Sequence, residues 1–158
     1  MLTTALSSTY LYHNNFVATS AKYILYADDD PDDQDLMHEA MAECGSGIGV
    51  IAVHNGIEAL DFLAKLQPGE YYPSIIILDI NMPVVGGYQT LKLLKLNPKY
   101  AHIPVSIFST SSDVSEIIKA KRFGAHEYII KPMYYQEFLD VCGRLIDYCS
   151  STAVQEVG

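Results

Sequence analysis

The sequence is short of positive charge. Ten Lys and Arg residues face nineteen Asp and Glu, giving a net charge of −9. That balance argues against nucleic acid or an anionic membrane as the main partner. An acidic surface by itself names no other partner. Cysteine is also scarce: Cys44, Cys142 and Cys149 make an odd number, with no C-x-x-C pair. Reduced thiols in a cytosolic protein account for them more simply than a disulfide framework does. Cys142 and Cys149 are seven residues apart on an expected helix, so they share a face and read as packing residues. No apolar run approaches the ~18 residues that a membrane helix requires. Residues 1–21 hold no Lys or Arg and no unbroken apolar stretch, so they lack the make-up of a secretory signal. They read as a flexible N-terminal arm, or as a start codon placed upstream of the domain.

What is present is a chain able to fold alone. Its 158 residues fit one domain, and 49% apolar against 18% charged residues mark it as globular. From Tyr23 onward short apolar runs alternate with helical patterns. Strands are expected at 23–27, 48–53, 74–78, 105–108 and 127–130. Helices are expected at 32–44, 56–66, 87–96, 113–123 and 134–149. Asp30 before Pro31 looks like a helix cap, Asp113 and Glu116 have capping-box spacing, and Gly124 looks like a helix stop. Five β–α units imply an α/β fold, a doubly wound (βα)₅ three-layer sandwich around a five-stranded parallel sheet. The run Ile75-Ile76-Ile77-Leu78 suits a central strand buried on both faces. The expected division is an arm over 1–21, a domain over 22–150 and a tail over 151–158.

In such sheets ligands bind at the carboxyl ends of the strands. Asp28, Asp29 and Asp30 follow the first strand, Asp79 the third, Ser109 the fourth and Lys131 the fifth. Carboxylates brought together repel one another, and a hard divalent cation such as Mg²⁺ relieves that repulsion through oxygen ligands. With a lysine and a hydroxyl beside them, they can cradle a phosphoryl group. An Asp can itself be the nucleophile and form an aspartyl phosphate. Asp32 and Asp33 read differently, as first-turn carboxylates favoured by the helix dipole. His54, His102 and His126 have no metal-ligand spacing.

Four segments resemble response-regulator receiver domains of the CheY-like superfamily. They are Ile24-Leu25-Tyr26-Ala27-Asp28-Asp29-Asp30-Pro31, Leu78-Asp79-Ile80-Asn81-Met82-Pro83 with Gly87, Pro104-Val105-Ser106-Ile107-Phe108-Ser109-Thr110, and Gly124-Ala125-His126-Glu127-Tyr128-Ile129-Ile130-Lys131-Pro132. The resemblance runs from about Tyr23 to Cys149 and implies a flavodoxin- or CheY-like fold of the stand-alone, single-domain type. It implies that Asp79 accepts a phosphoryl group from a sensor histidine kinase or a histidine phosphotransfer protein. Asp28, Asp29, Asp79 and the backbone carbonyl of Asn81 would hold Mg²⁺, one of the first two through water. Ser109 would bond a phosphoryl oxygen, Lys131 would pair with Asp79 or its phosphate, and Lys131-Pro132 would be cis. Tyr128 would change rotamer as Ser109 moves, although a core tyrosine with a satisfied hydroxyl fits the same position. Such a protein would catalyse only its own phosphorylation and dephosphorylation, and would not be a turnover enzyme. Its output would pass to a downstream protein, or to a homodimer, through the face at 113–149, as in receivers resembling phytochrome-linked regulators. A cytoplasmic location follows.

Departures and rivals bound this expectation. Gly86 stands where the family often has Asp, and Ser109 where Thr is commoner. Asn81 and Ser111 occupy positions that in the family gate the attacking water. An EF-hand over Asp28–Glu39 fails because its sixth position is Asp33 rather than Gly. A haloacid-dehalogenase-type phosphatase would use Asp28-x-Asp30 but lacks a late acidic pair and leaves Asp79 unexplained. A flavodoxin-like phosphate loop cannot be Asp-Asp-Asp without a metal. A receiver-like interaction module that takes no phosphate remains as the last rival.

Overall fold

A computed structural model describes residues 22–158. The arm expected over 1–21 lies outside the described residues. The elements alternate as β1 (Tyr23–Ala27), α1 (Pro31–Glu43), β2 (Gly49–Val53), α2 (Gly56–Lys65), β3 (Ile75–Asp79), α3 (Gly87–Leu96), β4 (Val105–Ser109), α4 (Val114–Arg122), β5 (Glu127–Ile130) and α5 (Tyr135–Ser151). All strands pair in parallel, in the order β2-β1-β3-β4-β5. The order reverses between β1 and β3, where the chain first winds outward to β2 and then back to the other side.

Strand periodicity explains the two cores. Alternate side chains of a strand point to opposite faces. Leu25, Ala27, Ile76, Leu78, Val105 and Ile107 pack with α2, α3 and α4 through Leu63, Leu91, Leu94 and Ala120. Their strand neighbours Ile24, Tyr26, Ile75, Ile77 and Phe108 pack with α1 and α5 through Met37, Met41, Phe138, Cys142 and Leu145. Both Cys142 and Cys149 are buried, and burial pushes their thiols up to about 12 and about 11. They are packing residues, as their shared helical face suggests.

Local signals set the helix ends. Asp30 caps α1 by accepting from the Asp32 N–H at 2.9 Å. Asn55 caps α2 from Glu58 N–H at 2.9 Å, and Glu58 answers by accepting from His54 N–H at 2.8 Å. Asp113 caps α4 through the Ser115 N–H. The return bond of a capping box is replaced there, because Glu116 Oε2 faces the Tyr128 hydroxyl at 3.3 Å instead. Gly124 ends α4 with a φ of 91°.

Most element ends lie within a residue or two of the sequence reading, and two of the shifts fall at the site edge. β3 and β4 each run one residue further, through Asp79 and Ser109, because their parallel ladders continue with Phe108 and Ile130. The chain after α5 is tied back to the domain. Val157 N–H donates to Glu70 O at 2.8 Å, Gly69 N–H to Val157 O at 3.1 Å and Tyr72 N–H to Gln155 O at 2.9 Å. A short antiparallel bridge at Tyr71 and Glu156 covers the end of the sheet remote from the acidic turns.

One buried polar group stands out in the sheet. Ser106 on β4 is fully buried, and its hydroxyl has no hydrogen-bond partner among the described residues. An unsatisfied buried hydroxyl costs free energy that a methyl group does not. Ser106→Ala is expected to raise stability by about 1 kcal/mol, read as a higher midpoint in chemical denaturation.

Candidate functional site

The site is built by register. Ala27 is level with Leu78 across β1 and β3, Asp79 with Phe108 across β3 and β4, and Ser109 with Ile130 across β4 and β5. The residues that end these strands or follow them therefore meet at one edge of the sheet. Asp28 and Asp79 are buried at 1% and 7% exposure, whereas Asp29 faces solvent. One carboxylate oxygen from each of Asp28, Asp29 and Asp79 lies within 4.8 Å of the other two.

Lys131 answers this concentration of negative charge. Its ammonium lies 2.7 Å from Asp28 Oδ2, 2.7 Å from Asp33 Oδ2 and 3.2 Å from Asp79 Oδ1. Burial alone would lower the lysine's pKa, but the bonds to Asp28 and Asp33 outweigh it and hold the ammonium charged. Burial pushes the Asp79 carboxyl above its ordinary range; Lys131 opposes that shift, and Asp28 and Asp29 add to it. Asp79 is thus a carboxylate whose negative charge is not fully compensated by its neighbours.

Asp28 is held on every side. Tyr26, two residues earlier on the same strand face, donates its hydroxyl to Oδ2 at 2.5 Å. The Asp30 N–H donates to Oδ1 at 3.0 Å, and Gln34 Nε2 donates to the Asp28 carbonyl at 2.6 Å. Gln34 also reaches Val53 O at 3.1 Å, which ties the acidic turn to β2. Burial, and then the Asp28 charge, push the Tyr26 phenol up, so it stays a donor. With Oδ2 shared between a phenol and an ammonium, Asp28 has a free lone pair only on Oδ1. Asp29 is exposed and Asp79 has one oxygen beyond its contact with Lys131. This all-oxygen donor set fits a hard divalent cation such as Mg²⁺ or Mn²⁺.

The hydroxyl and aromatic residues stand on the other flank. Ser109 is 2% exposed, and its Oγ accepts from the Ser111 N–H at 3.1 Å. Tyr128 is half-buried on β5, and its hydroxyl donates to Ser111 O at 2.8 Å. Asn81 lies two residues past Asp79 and is exposed. Asp28, Asp29, Asp79, Ser109 and Lys131 therefore converge on one strand-end edge. Tyr128 stands behind Ser109, joined to it through Ser111.

Comparison with known proteins decides the family. Residues 24–142 match the response regulator receiver domain. The chain belongs to that family. It is 34% identical over 114 residues to the two-component response regulator ORR12 of Oryza sativa subsp. japonica, covering 72% of this chain and 89% of that one. Protein PilG of Pseudomonas aeruginosa is 34% identical over 87 residues, covering 55% of this chain and 63% of that protein. Several curated relatives are longer: the chain spans 26% of a probable cyclic di-GMP phosphodiesterase of Vibrio cholerae and 49% of the rice regulator ORR1. Among solved structures, a receiver domain from Rhodospirillum rubrum is 30% identical with a TM-score of 0.74, covering 85% of this chain and 98% of that one. The phosphorylated cyanobacterial phytochrome response regulator RcpA is 28% identical with the same TM-score, covering 84% of this chain and 96% of that one. The Mn²⁺-bound form of response regulator Rcp1 shares the fold at 23% identity and a TM-score of 0.73, covering 85% of this chain and 99% of that one.

The receiver domain departs from the sequence reading at two places. The peptide bond between Lys131 and Pro132 is trans, not cis. A prolyl bond leaves only ~0.5–1 kcal/mol between its isomers, so the surrounding packing decides which is adopted. Asp33, read as a first-turn carboxylate, is also a direct partner of Lys131. A third feature lies in the loop after Asp79. Val84 adopts a φ of 65°, a conformation that a β-branched residue rarely accepts. Its side chain is 79% exposed, so burial does not offset the strain. Three residues further on Gly87 is required: a Cβ there would lie 2.2 Å from the Asp79 carbonyl oxygen.

Two outcomes follow from this geometry. Asn accepts the left-handed region more readily than Val, so Val84→Asn is expected to stabilise the domain by about 1 kcal/mol in denaturant titrations. The second concerns Asp79. A carboxyl whose folded pKa is raised stabilises the fold fully only below its unfolded pKa, and that contribution is lost as pH rises through the folded value. Ionised Asp79 therefore costs stability at neutral pH. Asp79→Asn is expected to melt several degrees higher than wild type at pH 7 in metal-free buffer. The difference should shrink as pH falls through the raised Asp79 pKa toward the ordinary carboxylate range.

Proposed function

We propose that this receiver domain is a Mg²⁺-dependent phosphoacceptor in a phosphorelay, and that Asp79 is the acceptor. The observation that carries this reading is Asp79 at the end of β3. It is buried beside two further carboxylates that can share an ion with it, and lies 3.2 Å from the Lys131 ammonium. One Asp79 oxygen attacks phosphorus of a phosphohistidine on a sensor kinase or a phosphotransfer protein. The P–N bond breaks, and the imidazole nitrogen keeps the electron pair and takes up a proton. Asp28, Asp29, Asp79 and the Asn81 carbonyl would hold Mg²⁺, which when bound would supply positive charge against the transferred oxygens. Lys131 neutralises the product from the opposite flank, and Ser109 can turn its hydroxyl toward a phosphoryl oxygen. Hydrolysis of the aspartyl phosphate returns the carboxylate. The protein is therefore a switch that acts on itself and not an enzyme of turnover.

The output reading rests on α4, β5 and α5. Drawing Ser109 toward a phosphoryl group weakens its bond with Ser111, whose carbonyl holds the Tyr128 hydroxyl. Such a change is a local electrostatic event that biases a surface. Val114, Ile118, Ile130, Met133 and Tyr134 are exposed on or beside these elements. They suit a downstream protein or a second copy of the chain docking on the face at 113–149. Among the described residues no helix is long and apolar enough to cross a membrane. Three free thiols support a reducing, cytoplasmic compartment.

Incubation with acetyl phosphate and Mg²⁺, followed by intact mass, tests the acceptor. A single phosphate adduct is expected on wild type, and none on Asp79→Asn or after chelation of the metal. An equal adduct on Asp79→Asn would move the acceptor elsewhere. A folded, Mg²⁺-binding wild type without any adduct would instead favour an interaction module that takes no phosphate.

A further inference from the structure

Lys131 has three hydrogens and meets three carboxylates, but not equally. The contacts to Asp28 and Asp33 are each 2.7 Å, within the usual range of a charge-assisted bond, whereas the contact to Asp79 is 3.2 Å. The ammonium is drawn toward α1 and away from Asp79. Asp28 is tied into the metal-capable cluster, but Asp33 is not one of its three members. Asp33 sits in the first turn of α1, and its side chain is 32% exposed. A carboxylate that served only the helix dipole would need no contact with a lysine 98 residues away.

We propose that Asp33 is a positioning residue that holds Lys131 back from Asp79 in the unphosphorylated protein and thereby slows acceptance of the phosphoryl group. The inference rests on Asp79 being the phosphoacceptor. As Asp79 attacks, charge spreads over the transferring phosphoryl oxygens beside it. A short bond from Lys131 to those oxygens requires Nζ to lengthen or release its bond to Asp33. That bond is strongest before reaction and weakest in the transition state, so it lowers the ground state and raises the barrier. Asp33→Asn keeps the size of the side chain and removes its charge, freeing the ammonium to lean toward Asp79. For a part-exposed ion pair the rate gain is ~2- to 5-fold.

The test uses the full chain at saturating Mg²⁺, with acetyl phosphate as donor and intact mass as readout. Asp33→Asn should gain phosphate ~2- to 5-fold faster than wild type, and Asp33→Glu, which restores the charge, should fall back toward the wild-type rate. A second readout needs neither metal nor donor. In metal-free buffer, thermal midpoints of Asp33→Asn, Lys131→Met and the double variant form a cycle. Asp33→Asn should change the midpoint differently in the Lys131 and Met backgrounds, which shows the pair in solution. Additive midpoints overturn the proposal whatever the labelling shows. If wild type labels and Asp33→Asn labels no faster, the proposal fails while the reading of Asp79 stands. If wild type does not label at all, the reading of Asp79 fails and takes the proposal with it.

Discussion

A single ammonium serves an acidic pocket too rich for it. Asp28, Asp33 and Asp79 all contact Lys131, and Asp29 adds a fourth carboxylate beside them. Two charges about 4 Å apart at an effective dielectric near 20 interact by ~4 kcal/mol, so uncompensated carboxylates here repel strongly. The pocket copes in two ways. Solvent reaches Asp29 and part of Asp33, and hydrogen bonds from Tyr26 and the Asp30 N–H spread the charge of Asp28. What remains is an attraction for positive charge, centred on Asp79. The chemistry of the site is the unfinished part of its charge balance.

The sheet makes that imbalance possible. A parallel sheet buried on both faces fixes its strands rigidly, and its carboxyl ends carry turns that need no core of their own. The reversal of strand order between β1 and β3 opens a crevice with Asp28 and Asp29 on one side and Asp79 on the other. Gly87 lets α3 begin hard against the Asp79 carbonyl, and Gln34 fastens the acidic turn to β2. Each of these holds a carboxylate where free side chains would move apart. The strain at Val84 lies in the same loop, whose backbone is tied by Val85 N–H to Pro83 O and by Gly56 N–H to Val85 O.

Much of this was legible in the sequence, for reasons that can be named. Strands read as apolar runs because β1, β3 and β4 are buried on both faces, and the polar residue that ends each run marks the site edge. Asp28, Asp29, Asp79, Ser109 and Lys131 could be placed from that rule and from the family resemblance together. What was missed depends on contacts distant in sequence. Tyr26 reads as an ordinary strand residue because its hydroxyl partner is found only when the strand face is known; the alternation from Tyr26 to Asp28 was the available signal. Asp33 fits the helix dipole perfectly well, and nothing local announces Lys131. The pairing of 155–157 with 69–72 has no periodic signature at all, since it is a few backbone bonds between two loops. The isomer of the Lys131–Pro132 bond lies within the small energy gap that tertiary packing settles.

The route from the pocket to the surface can be argued from the same bonds. Ser111 is the hinge of that route, because its N–H is committed to Ser109 Oγ and its carbonyl to the Tyr128 hydroxyl. The start of α4 is then pinned twice. Tyr88 donates to Glu116 O at 2.9 Å, and the Glu116 carboxylate lies 3.3 Å from the Tyr128 hydroxyl. A phenol has one hydrogen to give, so Tyr128 bonds Ser111 at the expense of Glu116. Any ligand that takes the Ser109 hydroxyl alters the first bond and so shifts the competition for the last. The effect can be no larger than the difference in how the ligand meets the two arrangements. With three hydrogen bonds of ~1 kcal/mol each in series, that difference suffices to shift a balanced equilibrium several-fold, without any large movement of the sheet.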